Sequence, residues 1–230
     1  ITRHLTSLWL MASLVLTSAA MAENLQPFIL AKTVQGDLAS AVADTKAALQ
    51  GQGLTLAGDY APFADAHVIV VTSDALKTAA GKTDNGGFGA AQRVSVTKVG
   101  DSIQIAYTNP VYWAAAFRME GDLADIAGKL AAALGNQESF GSKKGLSEKK
   151  LRKYHYTFGM EYFDDPYIFK SYDSHGAAVN AVDKGLAAEV DGARNEDFEL
   201  RFFASLAAFR ILGEGQLSLT KFLIAVDQPV

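Results

Sequence analysis

A chain of 230 residues that is 49% hydrophobic and 20% charged has an ordinary globular composition, enough for one large or two small domains. Its formal charge of −4 offers no basic footprint for nucleic acid, and none is expected as a partner. The absence of cysteine excludes disulfides, thiolate metal sites, covalently attached c-type haem, blue copper and a cysteine nucleophile.

The chain opens on a targeting signal. Arg3 and His4 form a short basic start, "LTSLWLMASLVLT" is an apolar run, and Ala20 and Ala22 are the small residues of a cleavage site. Residues 1–22 therefore read as a removed signal peptide. A membrane anchor is the weaker reading, because the run is short for a bilayer. The mature chain, Glu23–Val230, holds no later run long enough to span a membrane, and it is expected to be soluble and periplasmic or secreted. With no cysteine after the cleavage site, a lipoprotein is excluded.

Residues 23–135 read as a core domain. "FILAKTV" predicts a strand, and Asp37 caps a helix to about Gln50 whose Leu38, Val42 and Leu49 share a face. "LTLAGDY" and "HVIVVTS" predict two strands, the second apolar enough for the interior of a sheet. Ser73 or Asp74 caps the short helix "DALKTAAG". Val94 and Val96, the Gly100-Asp101 turn, and Ile103, Ile105 and Tyr107 predict a hairpin that Asn109-Pro110 closes. Asp122 caps a helix carrying Leu123, Ile126, Leu130 and Leu134 and stopped by Gly135.

Residues 136–153 read as a basic linker with a short helix. Residues 154–230 read as a second αβ segment: "YHYTFGMEYF" and "YIFKSY" as aromatic strands, then a helix capped by Ser174 with Val179, Val182, Leu186 and Val190 on one face. Its strand and helix echo those of residues 28–49, either as a diverged repeat or because alanine-rich helices after strands look alike. From Asp191 the pattern fits neither period.

"GKTDNGGFGAAQR" contains Gly81-Lys82-Thr83, the tail of a phosphate loop. The first glycine of that motif would fall at Leu76, and a helix precedes the stretch where a strand is required. The stretch is expected instead to be a glycine-rich surface loop, whose functional role, if it has one, is that of a flexible rim over a site built by other residues. The mature chain has His67, His155 and His175 with no metal-ligand spacing, although His155 or His175 with Glu161, Asp164 or Asp165 supplies the groups for a hydrolase or metal-dependent enzyme. No G-x-S-x-G elbow and no Ser-x-x-Lys with its partner motifs selects a nucleophile. No cofactor is expected. Five of the eight tyrosines lie in "YHYTFGMEYFDDPYIFKSY", which suggests an aromatic pocket, an interface or strands with aromatics turned inward.

Three stretches resemble the domain-of-unknown-function 302 family: the strand–helix–strand–strand start, "QRVSVTKVGDSIQIAYTNPVYWAAAFRM" with Asn109-Pro110 and Tyr112, and "FGSKKGLSEKKLRKYHYTFGMEYFDDPY" of its longer, exported branch. The resemblance covers about Phe28 to Ala188. It implies an α+β fold, an antiparallel-rich sheet with helices packed on one face in the order strand-helix-strand-strand-helix-hairpin-helix, followed by a second smaller αβ segment. It also implies a homodimer, and it carries over no catalytic residue. The tail after about Val190 departs from the family, and the chain starts at Ile1. A frameshifted or truncated reading frame and a divergent terminus both account for this. The expected function is binding of an unidentified small molecule or protein without catalysis, with Tyr154, His155, Tyr156, Glu161, Tyr162, Asn109 and Tyr112 as ligand or interface residues.

Overall fold

The computed structural model describes residues 24–84, 86–155, 157–160 and 171–187. In β1 (Phe28–Gln35), Ile29 and Ala31 are buried and their neighbours are half-buried or exposed, the period-2 pattern of a strand with one face on the core. The Asp37 carboxylate accepts from the Ser40 N–H at 2.9 Å and starts α1 (Leu38–Gly51). Its inward stripe is Leu38, Val42, Thr45 and Leu49, so a threonine fills the position between the predicted apolar residues. Gly53, at φ +73, turns the chain into β2 (Thr55–Phe63), which pairs with β3 (Ala66–Thr72). Ser73 caps α2 (Asp74–Ala80) by accepting from the Leu76 N–H at 3.2 Å.

A 3-10 turn at Gly86–Gly89 leads into β4 (Gln92–Val99) and β5 (Ser102–Thr108). The hairpin turn falls at Gly100-Asp101 between paired Val99 and Ser102, with Gly100 at φ +61. The sequence reading places one helix after this hairpin; the structure has two. Asn109-Pro110, read only as the hairpin's end, also begins α3 (Pro110–Ala116), with asparagine at the N-cap and proline at the first helical position. The second is α4 (Ala124–Leu134), where Asp122 accepts from the Ala124 N–H at 2.9 Å and Gly135 ends the helix at φ +103.

The six strands form one antiparallel sheet in the order β2-β3-β4-β5-β1-β6, where β6 is Glu138–Phe140. The fold is α+β. One core joins Ile69, Val71, Val94, Val96, Ile103 and Ile105 of the sheet to Leu49, Leu76, Ile126 and Leu130 of the helices, so the helices sit on one face. Each wholly buried leucine or isoleucine here contributes about 1.5–3 kcal/mol of transfer free energy.

The stretch expected as a linker is tied to the start of the chain. β6 pairs with Phe28, Ile29 and Leu30, and Leu25 bridges Leu146. α5 (Glu148–Leu151) follows and buries Leu151. The strand expected from Tyr154 does not form at 154–155 or 157–160, where the backbone is irregular and Gly159 takes φ +83. The remainder of both aromatic segments up to Lys170 lies outside the described residues. Ser174 accepts from the Ala177 N–H at 3.2 Å and starts α6 (His175–Ala187), as its sequence indicates. Among the described residues no helix is long and apolar enough to cross a membrane.

Candidate functional site

α3 carries the most concentrated chemistry on the described surface. Residues four apart share a helix face, and Trp113 and Phe117 stack there with centroids 5.3 Å apart. The Trp113 indole N–H donates to the Pro27 carbonyl at 3.0 Å, which fixes the ring against the start of β1. Phe28 lies 6.4 Å from Trp113, and Phe140 of β6 lies 5.6 Å from Phe28. At the other end Phe88 of the 3-10 turn lies 5.5 Å from Phe117. Tyr112 adds an edge-on contact to Trp113 at 5.2 Å. The result is a continuous ridge, Phe140–Phe28–Trp113–Phe117–Phe88, whose members are half-buried except for exposed Phe140. Offset and edge-on ring pairs of this kind each contribute about 0.5–1.5 kcal/mol beyond their burial.

The ridge rests on a rigid floor. α3 ends in a Schellman turn: the Arg118 N–H donates to the Ala115 carbonyl at 3.1 Å and the Met119 N–H to the Ala114 carbonyl at 2.8 Å. Arg118 takes the left-handed conformation at φ +56 where glycine is usual. Met119 is buried under Gly89, so a side chain at that glycine would have to displace its thioether, and a side chain at Gly86 would overlap the Ala80 carbonyl. Of the stretch expected as a surface loop, Gly81, Lys82 and Asp84 are exposed, whereas the 3-10 turn that follows is packed, with Gly86, Gly89 and Ala90 buried. Gly-Lys-Thr also has a structural part. The Thr83 hydroxyl accepts from the Glu120 N–H at 2.9 Å, and Lys82 reaches the Glu120 carboxylate at 4.0 Å. Leu76, where a phosphate loop needs glycine, is wholly buried. The Arg152 guanidinium closes the other side, donating to the carbonyls of Met119 at 2.9 Å and Gly121 at 3.2 Å.

Of the residues singled out from the sequence, Asn109 is a buried brace. Its side-chain amide donates to the Gln26 carbonyl at 2.9 Å and its oxygen accepts from the Val111 N–H at 3.2 Å. Tyr112 is half-buried; burial raises its phenol above the ordinary value, and neighbouring Tyr154 adds to the shift. Tyr112 stands on α3 and Tyr154, which is exposed, just after α5. His155 is exposed and His175 is half-buried at the start of α6. Tyr156, Glu161, Tyr162, Asp164 and Asp165 lie outside the described residues. Among the described residues no three His, Cys, Asp or Glu side chains gather to hold a metal.

His67, read as structural, sits with Asp59 and Lys46. Its Nε2 is 2.6 Å from the Asp59 carboxylate, which Lys46 meets at 2.8 Å. Sequence reasoning missed Phe28, Phe88, Trp113, Phe117 and Phe140 as a group, because four elements supply them. The local signal available was "PVYWAAAF", a proline-started helix with aromatics four apart. Comparison of the chain with models of known protein families, with curated proteins and with solved structures gives no match.

Proposed function

We propose that this chain is an exported ligand- or partner-binding module that acts without catalysis, through the aromatic ridge centred on Trp113. The observation that carries the reading is the ridge itself: five connected rings, held rigid by α3 and partly open to solvent. Preorganised aromatic surface binds at low entropic cost and is where interface energy concentrates. The resemblance to the domain-of-unknown-function 302 family adds a homodimeric state to this reading, and the signal read in residues 1–22 adds export after cleavage near Ala22.

The ridge supplies its own reporter. Trp9 lies in the signal, so Trp113 is the single tryptophan of residues 23–230. Mature protein purified from its native host is examined by mass spectrometry for what co-purifies, and that compound or protein is titrated back while Trp113 emission is followed. A saturable emission change is expected, with affinity lowered about tenfold in Tyr112→Ser or Phe88→Ala, the range for an aromatic contact at the centre of an interface. Binding untouched by both substitutions would place it elsewhere. Turnover of a substrate that disappears in His155→Ala would replace the reading with an enzyme.

A further inference from the structure

The surface between Phe140 and Met160 combines exposed apolar side chains with positive charge. Of the six large hydrophobic side chains exposed among the described residues, Phe140, Tyr154, Phe158 and Met160 lie here. Residues 141–160 also hold five exposed lysines, Lys143, Lys144, Lys149, Lys150 and Lys153, against a single acid, Glu148. This stands in a chain whose formal charge is −4. The sixth cation, Arg152, is committed to Glu148, Met119 and Gly121.

The rings of Phe140, Phe28, Trp113 and Tyr112 are connected, and Tyr154, Phe158 and Met160 follow within one short exposed stretch of chain. Phe140 meets Phe28 at 5.6 Å, Phe28 meets Trp113 at 6.4 Å, and Trp113 meets Tyr112 at 5.2 Å. Gly141 lies directly on the Phe28 ring, so Lys143 and Lys144 leave from one end of the ridge. Lys149, Lys150 and Lys153 leave from the Tyr154 end. Phe158, fully exposed, sits in a turn with Gly159.

We propose that this face docks the protein peripherally on an anionic lipid surface. The lysines meet the headgroup phosphates, and Phe158, Tyr154 and Phe140 enter the interface beside them. The chemistry favours lipid over an acidic protein. A fully exposed phenylalanine in a turn fits a soft surface that it can enter, and aromatic rings flanked by lysines match the headgroup level of a bilayer. Each lysine near an anionic leaflet contributes about a fivefold gain in partitioning. The proposal uses the exposed rim and does not depend on whether the inner rings hold a ligand.

The test is flotation of the full chain with vesicles of equal parts phosphatidylcholine and phosphatidylglycerol, beside vesicles of phosphatidylcholine alone. The full chain carries an apolar run near its N-terminus, so the quantity read is the ratio of anionic to neutral binding, which cancels any contribution of that run common to both. A ratio well above one that falls with salt is expected. It should drop about fivefold for each lysine removed in Lys149→Gln, Lys150→Gln and Lys153→Gln. Phe158→Ser should lower anionic binding on the order of tenfold at unchanged charge. Far-UV circular dichroism checks that each variant folds. A ratio near one, or one that the lysine substitutions leave unchanged, overturns the proposal. So does Phe158→Ser binding like the parent. Binding to polyglutamate without binding to vesicles assigns the face to an acidic protein instead.

Discussion

Thr45 interrupts an otherwise apolar stripe of α1, and its hydroxyl is buried with no hydrogen-bond partner. An unsatisfied buried hydroxyl costs about 1–3 kcal/mol in proteins. Thr45→Val keeps the shape and removes the cost, so thermal unfolding should show a gain of about 1 kcal/mol. A loss would mean that the hydroxyl has a partner in solution. Two titrating groups make pH predictions of opposite sense. Burial pushes the Tyr107 phenol up to about 12, and the hydroxyl donates to the Gly135 carbonyl at 3.1 Å. Its unfolded value is about 10, so the contribution is complete below about pH 10 and is lost as pH rises towards the folded value. Urea unfolding across that window should show a shallower alkaline loss in Tyr107→Phe. Some loss should remain, because burial also raises Tyr60 and Tyr112. Asp59 behaves in the opposite way. The Lys46 hydrogen bond lowers its carboxyl first, His67 adds to this, and burial opposes both. Its contribution is present above the unfolded value of about 3.9 and is lost as pH falls through the lower folded one. Asp59→Asn should therefore cost stability at neutral pH, up to about 1 kcal/mol for so exposed a site, and nothing in strong acid.

At the scale of elements, what the sequence made legible follows the strength of each local signal. Caps at Asp37 and Ser73, the glycine turn at Gly100-Asp101 and the stop at Gly135 act through backbone geometry within a few residues, and each lies where its residue type indicates. α3 was missed although Asn-Pro is a helix start, because the same pair also ends a hairpin. β6 was missed because three exposed residues carry no periodicity; only pairing with β1 makes them a strand. The packing of Gly86 and Gly89 was not legible in the sequence, because close packing at a glycine is a tertiary property. That packing can be tested by comparing two substitutions. A methyl at Gly86 meets the backbone carbonyl of Ala80, which cannot yield without moving α2. A methyl at Gly89 meets the flexible Met119 thioether. Gly86→Ala should cost about 3 kcal/mol, at the upper end for overpacking, and Gly89→Ala about 1 kcal/mol. Equal costs in chemical unfolding would show that the turn shifts as a body.

For the whole molecule, the open question is whether residues 136–153 are an appendage or part of the cooperative unit. The sequence suggested a linker, because the stretch is polar, basic and without period. Its contacts reach back across the fold. β6 closes on Phe28–Leu30, Asn24 donates to the Lys144 carbonyl at 3.0 Å, and Arg152 holds the carbonyls of Met119 and Gly121. Leu151, at 3% exposure, is packed as a core residue is. Burying that leucine contributes about 1.5–3 kcal/mol, and hydrogen bonds from a charged donor about 1.5–3 kcal/mol more. A chain covering residues 23–135 should therefore be less stable than residues 23–230 by at least about 3 kcal/mol, read as a lower urea midpoint. It should also associate beyond the state of the longer chain, because the outer edge of β1 and the Phe28 ring are left uncovered. If both chains share a midpoint and the same oligomeric state, the stretch is a linker after all. A stepwise loss instead makes the aromatic ridge, which needs Phe140 at one end, a product of both parts of the chain.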